Sequence, residues 1–306
     1  MQPSVVVVGS SNTDLVGRTP RIPVPGETVM GDDFSIHPGG KGANQAVAAA
    51  RLGADVTFLA NIGLDDFGDA SVNGLLAEGI RTTYICRDEE YPSGVALIVV
   101  SDSGENSIAV IPGSNGQLMP FHVDDAAESI RKADVLLVQL ETPLDTVAHA
   151  LATAHGAGVM TVLNPAPAAE LPDEVIAMID YLTPNKTEAE RLSGITISDS
   201  ESAGEAGQAL IERGARNVIV TLGDQGALLV TASHELHVHS PIVVSPVDTT
   251  AAGDAFNGAL AVALARKDGI GDAMRFACSA GALSVTRLGA QPSLPRQEEV
   301  EAFVTL

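Results

Sequence analysis

An acidic residue follows a run of small residues where the pattern predicts the start of a helix. Ala251, Ala252 and Gly253 leave the backbone open to close approach, and Asp254 comes next. The N–H groups of a helix's first turn have no acceptor inside the helix, so they can bind an anion. Because a carboxylate is not stabilised by a neighbouring anion, Asp254 is not suited to bind it. We interpret Asp254 as a base that takes a proton from an attacking hydroxyl. The pattern favours phosphoryl transfer to an alcohol, with an ordinary capped helix as the structural alternative.

A second glycine-rich turn enters a predicted helix in the segment 37–53. Lys41 is followed by Gly42 and not by Ser or Thr, which excludes the P-loop pattern, and no G-x-G-x-x-G fingerprint follows the first strand. These glycines would let the backbone approach a polyhydroxylated ligand, and Asn44 offers donors and an acceptor to its hydroxyls. The alternative is a tight loop in which Lys41 is a solvated side chain.

The segments GGKGANQ at 39–45 and DTTAAGD at 248–254 resemble the two signatures of the ribokinase family of carbohydrate kinases. Further similar segments follow in family order: VGSSNTD at 8–14, PGET at 25–28, QLE at 139–141, LNPAP at 163–167, TPNKTE at 183–188, TLG at 221–223 and GAQPS at 289–293. The resemblance covers nearly all 306 residues. It implies ATP-dependent phosphorylation of D-ribose at the 5-hydroxyl, giving ribose 5-phosphate and ADP.

The resemblance also assigns site residues. It implies Asp254 as general base, Lys41 beside it, and the backbone of Ala251, Ala252, Gly253 and Asp254 as an anion hole. The sugar-binding set that it implies is Asn12, Asp14, Gly40, Lys41, Asn44, Glu141 and Asp254. The nucleotide set is Asn185, Glu188, Thr221, Gly223, Gly226, Gly253 and Cys278. Asn185 and Glu188 would organise Mg²⁺ through water, and a monovalent cation such as K⁺ would bind at Asp248, Thr250, Ser284, Arg287, Gly289 and Ser293.

Several of these residues have a plain structural alternative. Asn12 and Asp14 could cap a turn, Glu141 and Glu188 could begin helices, and Cys278 could pack on a helix face. Three functional hypotheses stay open: a ribose kinase, another sugar or nucleoside kinase of the same fold, and a non-catalytic sugar-binding regulator. The presence of Asp254 and of both glycine motifs argues against the regulator.

Composition limits the class of protein. The net charge of −22 opposes binding to nucleic acid or to anionic membranes, whose partners carry clustered Lys and Arg. The two cysteines lie far apart without metal-ligand spacing, which is compatible with a reducing compartment. No apolar run approaches the roughly 20 residues that span a bilayer. We expect a cytoplasmic enzyme.

Apolar strand-like runs alternate with helix-period segments along much of the chain, as in a parallel sheet covered on both faces by helices. We predict an α/β three-layer fold that forms one domain over 1–306, with a small β-sheet lid built from insertions at about 14–37 and 91–111. Because a small sheet cannot bury both faces alone, we also expect a homodimer through the lids. His234, His237 and His239 form a cluster that could bind a metal, with a solvated edge strand as the alternative.

Overall fold

The computed structural model describes residues 2–233, 236–239 and 244–304. Its strands are β1 Ser4–Val8, β2 Asn12–Thr19, β3 Asp33–Gly39, β4 Asp55–Gly63, β5 Arg81–Asp88, β6 Gly94–Ser101, β7 Asn106–Ile111, β8 Val135–Val138, β9 Met160–Leu163, β10 Tyr181–Leu182, β11 Asn217–Thr221, β12 Ala227–Thr231 and β13 Leu236–His239. Its helices are α1 Lys41–Arg51, α2 Asp66–Ala77, α3 Pro120–Lys132, α4 Leu144–His155, α5 Asp173–Ile176, α6 Lys186–Ser193, α7 Ser200–Glu212, α8 Ala252–Ala265, α9 Ile270–Ser284 and α10 Gln297–Val304. Three short 3-10 helices cover Gly113–Gln117, Gly223–Gln225 and Gln291–Ser293.

The main sheet has the strand order β13-β12-β11-β10-β9-β8-β1-β4-β5. Its pairs are parallel except β11 with β12 and β12 with β13. The central strand β1 reads Val5-Val-Val-Val8 because both of its faces are buried. Val5 and Val7 join the core that contains α1, α8 and α9, whereas Val6 and Val8 join the core that contains α3, α4 and α7. Helices thus cover both faces, as a parallel sheet requires.

Polar residues follow three adjacent strands of this sheet directly. Gln139 follows β8, Asn164 follows β9 and Thr183 follows β10, and all three are buried. Since the three strands run parallel, their carboxyl ends lie along one edge of the sheet, and ligands of open α/β sheets bind at that edge.

A separate sheet of four strands has the order β3-β2-β6-β7. Asp14 of β2 is paired with Ala96 of β6, and Ala96 with Val110 of β7, so these side chains share one face of the small sheet. Ile36 of β3 and Leu97 of β6 both pair with Leu15 and lie on the opposite, outer face. That outer face is apolar and exposed, with Phe34 62%, Ile36 53% and Leu97 47% accessible.

The predicted fold class is confirmed by the parallel sheet between helices and by the separate small sheet. Three elements escaped prediction: the edge strand β5, the helix α3 and the four-residue helix α5. β5 is charged at both ends and only half-buried, so it lacks a continuous apolar run. α3 did carry a signal, because its buried residues Val123, Ala126, Ala127 and Ile130 have helical spacing.

The predicted histidine cluster falls largely outside the described residues. His234 is not described, and of His237 and His239 the structure describes only the backbone, within β13. Among the helices that the structure does describe, none is both long enough and apolar enough to cross a bilayer.

Candidate active site

Two adjoining cavities of about 380 Å³ and 200 Å³ lie at the carboxyl edge of the main sheet, in front of α8. Asn185, Thr221 and Gly253 line both cavities, which therefore form one continuous cleft. The smaller cavity is also lined by Lys41, Asn164, Ala166, Thr183, Glu188, Thr249, Ala251, Ala252, Asp254 and Asn257. The larger one extends along Lys186, Thr187, Ile197, Ser198, Asp199, Leu222, Gly223 and Gln225.

Asp254 lies buried in the first turn of α8. The chain enters this helix through Ala251, which has the left-handed value φ 61° and whose small side chain limits the strain of that conformation. Asn44 Nδ2 donates to Asp254 Oδ2 at 2.9 Å, and Gln45 Nε2 donates to Oδ1 at 3.0 Å. Burial raises the pKa of Asp254, while Lys41 and these two amide donors act in the opposite direction. The site thus holds a carboxylate that is more basic than usual in a fixed orientation.

Lys41, at the first position of α1, is the cation among these acids. Burial by itself would lower the pKa of Lys41, but the carboxylates of Asp254, Glu141, Glu188 and Asp14 raise it overall. The ammonium group therefore stays protonated in a site whose acidic groups would otherwise repel an anion. It can help to offset the negative charge of a phosphate group in the cleft.

The sugar-side residues come together from different elements. Glu141 follows the β8 strand and accepts at Oε2 from Ser10 Oγ at 2.5 Å and from the Lys41 backbone N–H at 2.9 Å. Asp14 lies on the inner face of the small sheet, where burial, followed by the charges of Glu141 and Asp254, raises its pKa to about 6. Asn12 accepts from Asn115 Nδ2 at 2.8 Å.

Two backbone positions depend on glycine. A Cβ at Gly39 would lie 2.4 Å from the Asp14 carboxylate oxygens, and one at Gly40 would lie 2.6 Å from the Asn12 backbone nitrogen. Gly40 also has the positive φ of 86°. The double glycine therefore lets the start of α1 pass directly against the residues expected to bind the sugar.

Asn44 Oδ1 is a buried oxygen with no hydrogen-bond partner among the described residues. Its amide nitrogen is held by Asp254, so the oxygen cannot turn away from its position. A buried acceptor without a donor costs about 1–3 kcal/mol, and a hydroxyl donated by a ligand would remove that cost. This feature suits a sugar.

On the nucleotide side, Asn185 caps α6 and forms a reciprocal pair with Glu188. Asn185 Nδ2 and backbone N each donate to the Glu188 carboxylate at 2.8 Å, and the Glu188 N–H donates back to Asn185 Oδ1 at 2.9 Å. Burial is the main cause that raises the pKa of Glu188. The expected helix start is therefore real, and the same pair lines the cleft.

Thr221 and Gly223 line the cleft at the end of β11, and Gly226 closes the same loop with φ 85°. Cys278, a residue of α9, lies outside the lining of both cavities and packs, partly buried, against the core. Burial raises the pKa of the Cys278 thiol to about 11. A packing role for this cysteine thus agrees with its position.

The residues expected to bind a monovalent cation lie in the segment 248–250, at the end of α9 and in the segment 287–293, and Asp248 joins the first of these segments to the last. Asp248 Oδ1 accepts from the Thr250 N–H at 2.9 Å and from its hydroxyl at 2.6 Å, and Oδ2 accepts from the Gly289 N–H at 2.8 Å. These bonds outweigh the effect of burial and lower the pKa of Asp248. The hydroxyls of Ser284 and Ser293 donate to local carbonyls, and the Arg287 side chain pairs with Glu299.

Because the polar side chains of these segments already have partners, backbone carbonyls are the ligands that they can offer to a cation. Oxygen ligands suit a hard cation. Among the described residues, no group of three or more His, Cys, Asp or Glu side chains is placed to hold a metal ion.

Some residues of the site carried no predicted role: Gln45, Asn164, Thr183 and Asn257. A signal in the sequence could have identified two of them, because Asn164 and Thr183 are polar residues that directly follow buried strands. Gln45 and Asn257 lie within helices and gave no such signal.

The sequence and the structure are both similar to those of known proteins. The pfkB family carbohydrate kinase model matches residues 2–297. The chain is 43% identical to a ribokinase of Haemophilus influenzae, over 99% of each chain, and 40% identical to a deoxyribokinase of Salmonella typhi, again over 99% of each. The structure is similar to that of Arabidopsis thaliana ribokinase complexed with ribose and ATP, with a TM-score of 0.94, 32% identity and full coverage of both chains.

Proposed function

The chain belongs to the pfkB family of carbohydrate kinases, and we propose that its ATP-dependent reaction is the phosphorylation of D-ribose at the 5-hydroxyl. The observation that carries this proposal is the buried contact between Asp254, in the first turn of α8, and Asn44 of α1. It sets a base that lines the cleft beside a buried oxygen acceptor that has no partner among the described residues. The ribokinase relatives, and the Arabidopsis neighbour that holds ribose and ATP, support the same sugar and the same nucleotide.

In the proposed complex the sugar lies between the small sheet and the start of α1. Asp14 and Glu141 accept hydrogen bonds from its hydroxyls, and Asn44 Oδ1 takes another. Ser10 and the Lys41 N–H already bind Glu141 Oε2, which leaves Oε1 for the ligand. Asn12, fixed by Asn115, and the backbone of Gly40 complete the sugar contacts.

The transfer then follows from the groups in the cleft. Asp254 takes the proton of the 5-hydroxyl while the sugar oxygen forms a bond to the γ-phosphorus of ATP and the bond to ADP breaks. The N–H groups of the 251–254 turn and the Lys41 ammonium stabilise the charge on the transferred group. Because these donors are fixed before the reaction, they need no reorganisation during it.

We further propose that Mg²⁺ accompanies ATP, held through water by Asn185 and Glu188, where it would neutralise phosphate charge. K⁺ would be bound by carbonyl oxygens of the Asp248, Thr250, Ser284, Arg287, Gly289 and Ser293 loops. Thr249, between Asp248 and Thr250 in sequence, lines the cleft, so an ordered loop would keep the anion hole in shape. Thr221, Gly223 and Gly226 belong to the proposed ATP side, whereas Cys278, expected there from the resemblance, packs against the core outside both cavities.

We also propose a homodimer in which the outer face of the small sheet packs on a second copy. Phe34, Ile36 and Leu97 give this face an apolar surface that a partner would cover. The inner face, with Asp14, would then act as the lid over the sugar. The need for ATP supports a cytoplasmic location.

The substrate is tested by ADP release from Mg-ATP with ribose, 2-deoxyribose, fructose, adenosine and 2-keto-3-deoxygluconate, each with and without K⁺. We expect ribose to give the highest kcat/KM and ³¹P NMR to identify the 5-phosphate. A higher kcat/KM for 2-deoxyribose would move the assignment to the reaction named for the Salmonella relative. If ribose raised the melting temperature without turnover, the sugar-binding regulator would replace the kinase.

The role of Asp254 is tested by Asp254→Asn, which keeps the shape of the side chain and removes the base. We expect kcat to fall by about 10²- to 10⁴-fold while ribose and ATP still bind in a calorimeter. Asp145→Asn is the matched control, because Asp145 is also an acid in the first turn of a helix, α4, but is exposed. Equal activity in the two variants would rule out Asp254 as the base.

A further inference from the structure

The amide of Gln45 lies at the centre of a buried hydrogen-bond network beneath Asp254. Gln45 Nε2 donates to Asp254 Oδ1 at 3.0 Å and to Asn164 Oδ1 at 3.1 Å. Its Oε1 accepts from Gln139 Nε2 at 2.6 Å. Gln45 and Gln139 are both completely inaccessible to solvent, so they cannot bind a ligand in the cleft directly.

The network returns to the helix that carries Asp254. Asn164 Nδ2 donates to the Thr183 carbonyl at 3.3 Å, and the Thr183 hydroxyl donates to Asn257 Oδ1 at 2.6 Å. Asn257 Nδ2 then donates to the Gly253 carbonyl at 2.8 Å. A closed series of bonds thus ties the first turn of α8 to the carboxyl ends of β9 and β10.

The direction of these bonds is set by the chemistry of the carboxylate. An ionised Asp accepts hydrogen bonds and donates none, so Gln45 must turn its NH₂ group toward Asp254. Its oxygen must then face Gln139, which in turn has to present its own NH₂ group. Neither amide can rotate by half a turn without placing two acceptors or two donors against each other.

One consequence of this order is an unsatisfied atom. Gln139 Oε1 is buried and has no partner among the described residues. This oxygen lies against the backbone of Gly9, and a side chain at position 9 would place its Cβ only 2.1 Å from the oxygen. A buried acceptor without a partner costs about 1–3 kcal/mol. If the two glutamines served stability only, apolar side chains in their place would avoid that cost. The arrangement therefore needs a reason other than stability.

We propose that Gln45 is a positioning residue for the general base, and that Gln139 acts through it by fixing the orientation of its amide. This inference rests on the proposed kinase reaction. A neutral amide is suited to the task because it orients the carboxylate and favours its ionised form, yet it brings no positive charge that would make Asp254 a weak base.

The test compares Gln45→Met and Gln139→Met, which keep most of the side-chain volume and remove the amide. We expect Gln45→Met to lower kcat by about 10- to 100-fold, and ribose affinity in a calorimeter to change by less than about threefold. The acid limb of the kcat profile should move to higher pH, because losing a donor raises the pKa of a carboxylate. Gln139→Met should cause a smaller change in the same direction.

Two features distinguish positioning from simple stabilisation. First, the double variant should be no slower than Gln45→Met, because Gln139 acts only through Gln45. Second, the pKa of Asp254, followed by ¹³C NMR of carboxyl carbons in the absence of substrate and assigned with Asp254→Asn, should rise in Gln45→Met. Thr161→Val is the control, since Thr161 is also a fully buried residue, near the start of β9, and its hydroxyl bonds to the Met178 carbonyl and to Asp180.

If the wild-type enzyme is active and Gln45→Met has the same pH profile and the same Asp254 pKa, the positioning role is overturned. The proposed kinase reaction would still stand in that case. Additive losses of kcat in the double variant would overturn the role assigned to Gln139. A wild-type protein that turned over none of the five acceptors would overturn the proposed reaction, and the positioning role with it.

Discussion

At the scale of single residues, the site keeps acids in surroundings that disfavour their charge. Asp14 illustrates this, because burial and two nearby carboxylates raise its pKa from 3.8 to about 6. In the unfolded chain the ordinary value applies. The ionised Asp14 therefore destabilises the folded protein above pH 6, and the penalty disappears as the pH falls from 6 toward 3.8.

Replacing this acid should consequently stabilise the protein. We expect Asp14→Asn to raise the free energy of unfolding by about 1–3 kcal/mol near neutral pH, since one unit of pKa corresponds to about 1.4 kcal/mol. The gain should shrink as the pH falls below 6. Ribose binding should weaken at the same time, because a carboxylate acceptor is lost. Urea unfolding at several pH values measures the first effect and calorimetry the second.

Asp33→Asn is the control for this prediction, since Asp33 is an exposed acid in the same small sheet. If Asp14→Asn and the wild type had the same free energy of unfolding at every pH, the Asp14 carboxylate would not be destabilised in the folded state.

At the scale of elements, the small sheet has two faces with different tasks. Its inner face carries Asp14 and Ala96, and its outer face carries Phe34, Ile36 and Leu97. Strand geometry produces this division, because alternate residues point to opposite sides. Helix α1 has a similar division along its length: Asn44 and Gln45 reach the site, while Arg51 at its other end donates to the carbonyls of Gln291 and Leu294.

The outer face gives a prediction about assembly. Leu97→Glu should convert the proposed dimer to a monomer, because a charge on the central strand β6 would be buried without a partner. Leu76→Glu is the matched control, since Leu76 is 54% exposed but belongs to the last turn of α2 and not to the small sheet. Sedimentation velocity distinguishes the two species. A monomeric wild-type protein, or a dimeric Leu97→Glu variant, would contradict the prediction.

At the scale of the whole molecule, the main feature is the excess of negative charge. The protein carries 39 acidic and 17 basic side chains. Such an excess of negative charge repels itself in the folded state, and dissolved salt screens the repulsion within about 10 Å at 0.1 M. Within the site, by contrast, Lys41 and the N-terminus of α8 offset part of the negative charge of Asp254, Glu141, Glu188 and Asp14.

We therefore expect salt to stabilise the fold. Raising the salt concentration from 0.05 M to 1 M should increase the melting temperature by roughly 5 °C, because each kcal/mol of screened repulsion corresponds to a few degrees. Choline chloride separates screening from specific binding of K⁺, since it supplies ionic strength without a small cation. A melting temperature that rose with KCl but stayed constant in choline chloride would contradict the screening argument.

The sequence by itself determined the class of fold and much of the site. Apolar runs such as Val5–Val8 specify strands buried on both faces, and the glycines at 39–40 and 253 mark turns where the backbone must be accessible. These signals are local, since they depend on side-chain periodicity and backbone freedom within a few residues. They also place Asp254 and Asn44 on helix starts, where their chemistry can be used.

The tertiary structure decided which of these local features meet. Asn44 and Asp254 are 210 positions apart, and their contact exists because α1 and α8 pack on the same face of the sheet. The same packing brings Gln45 between Gln139 and Asn164, whose strands are neighbours in the sheet. Periodicity cannot encode such contacts, because hydrogen-bond partners are chosen by strand order and by burial away from water.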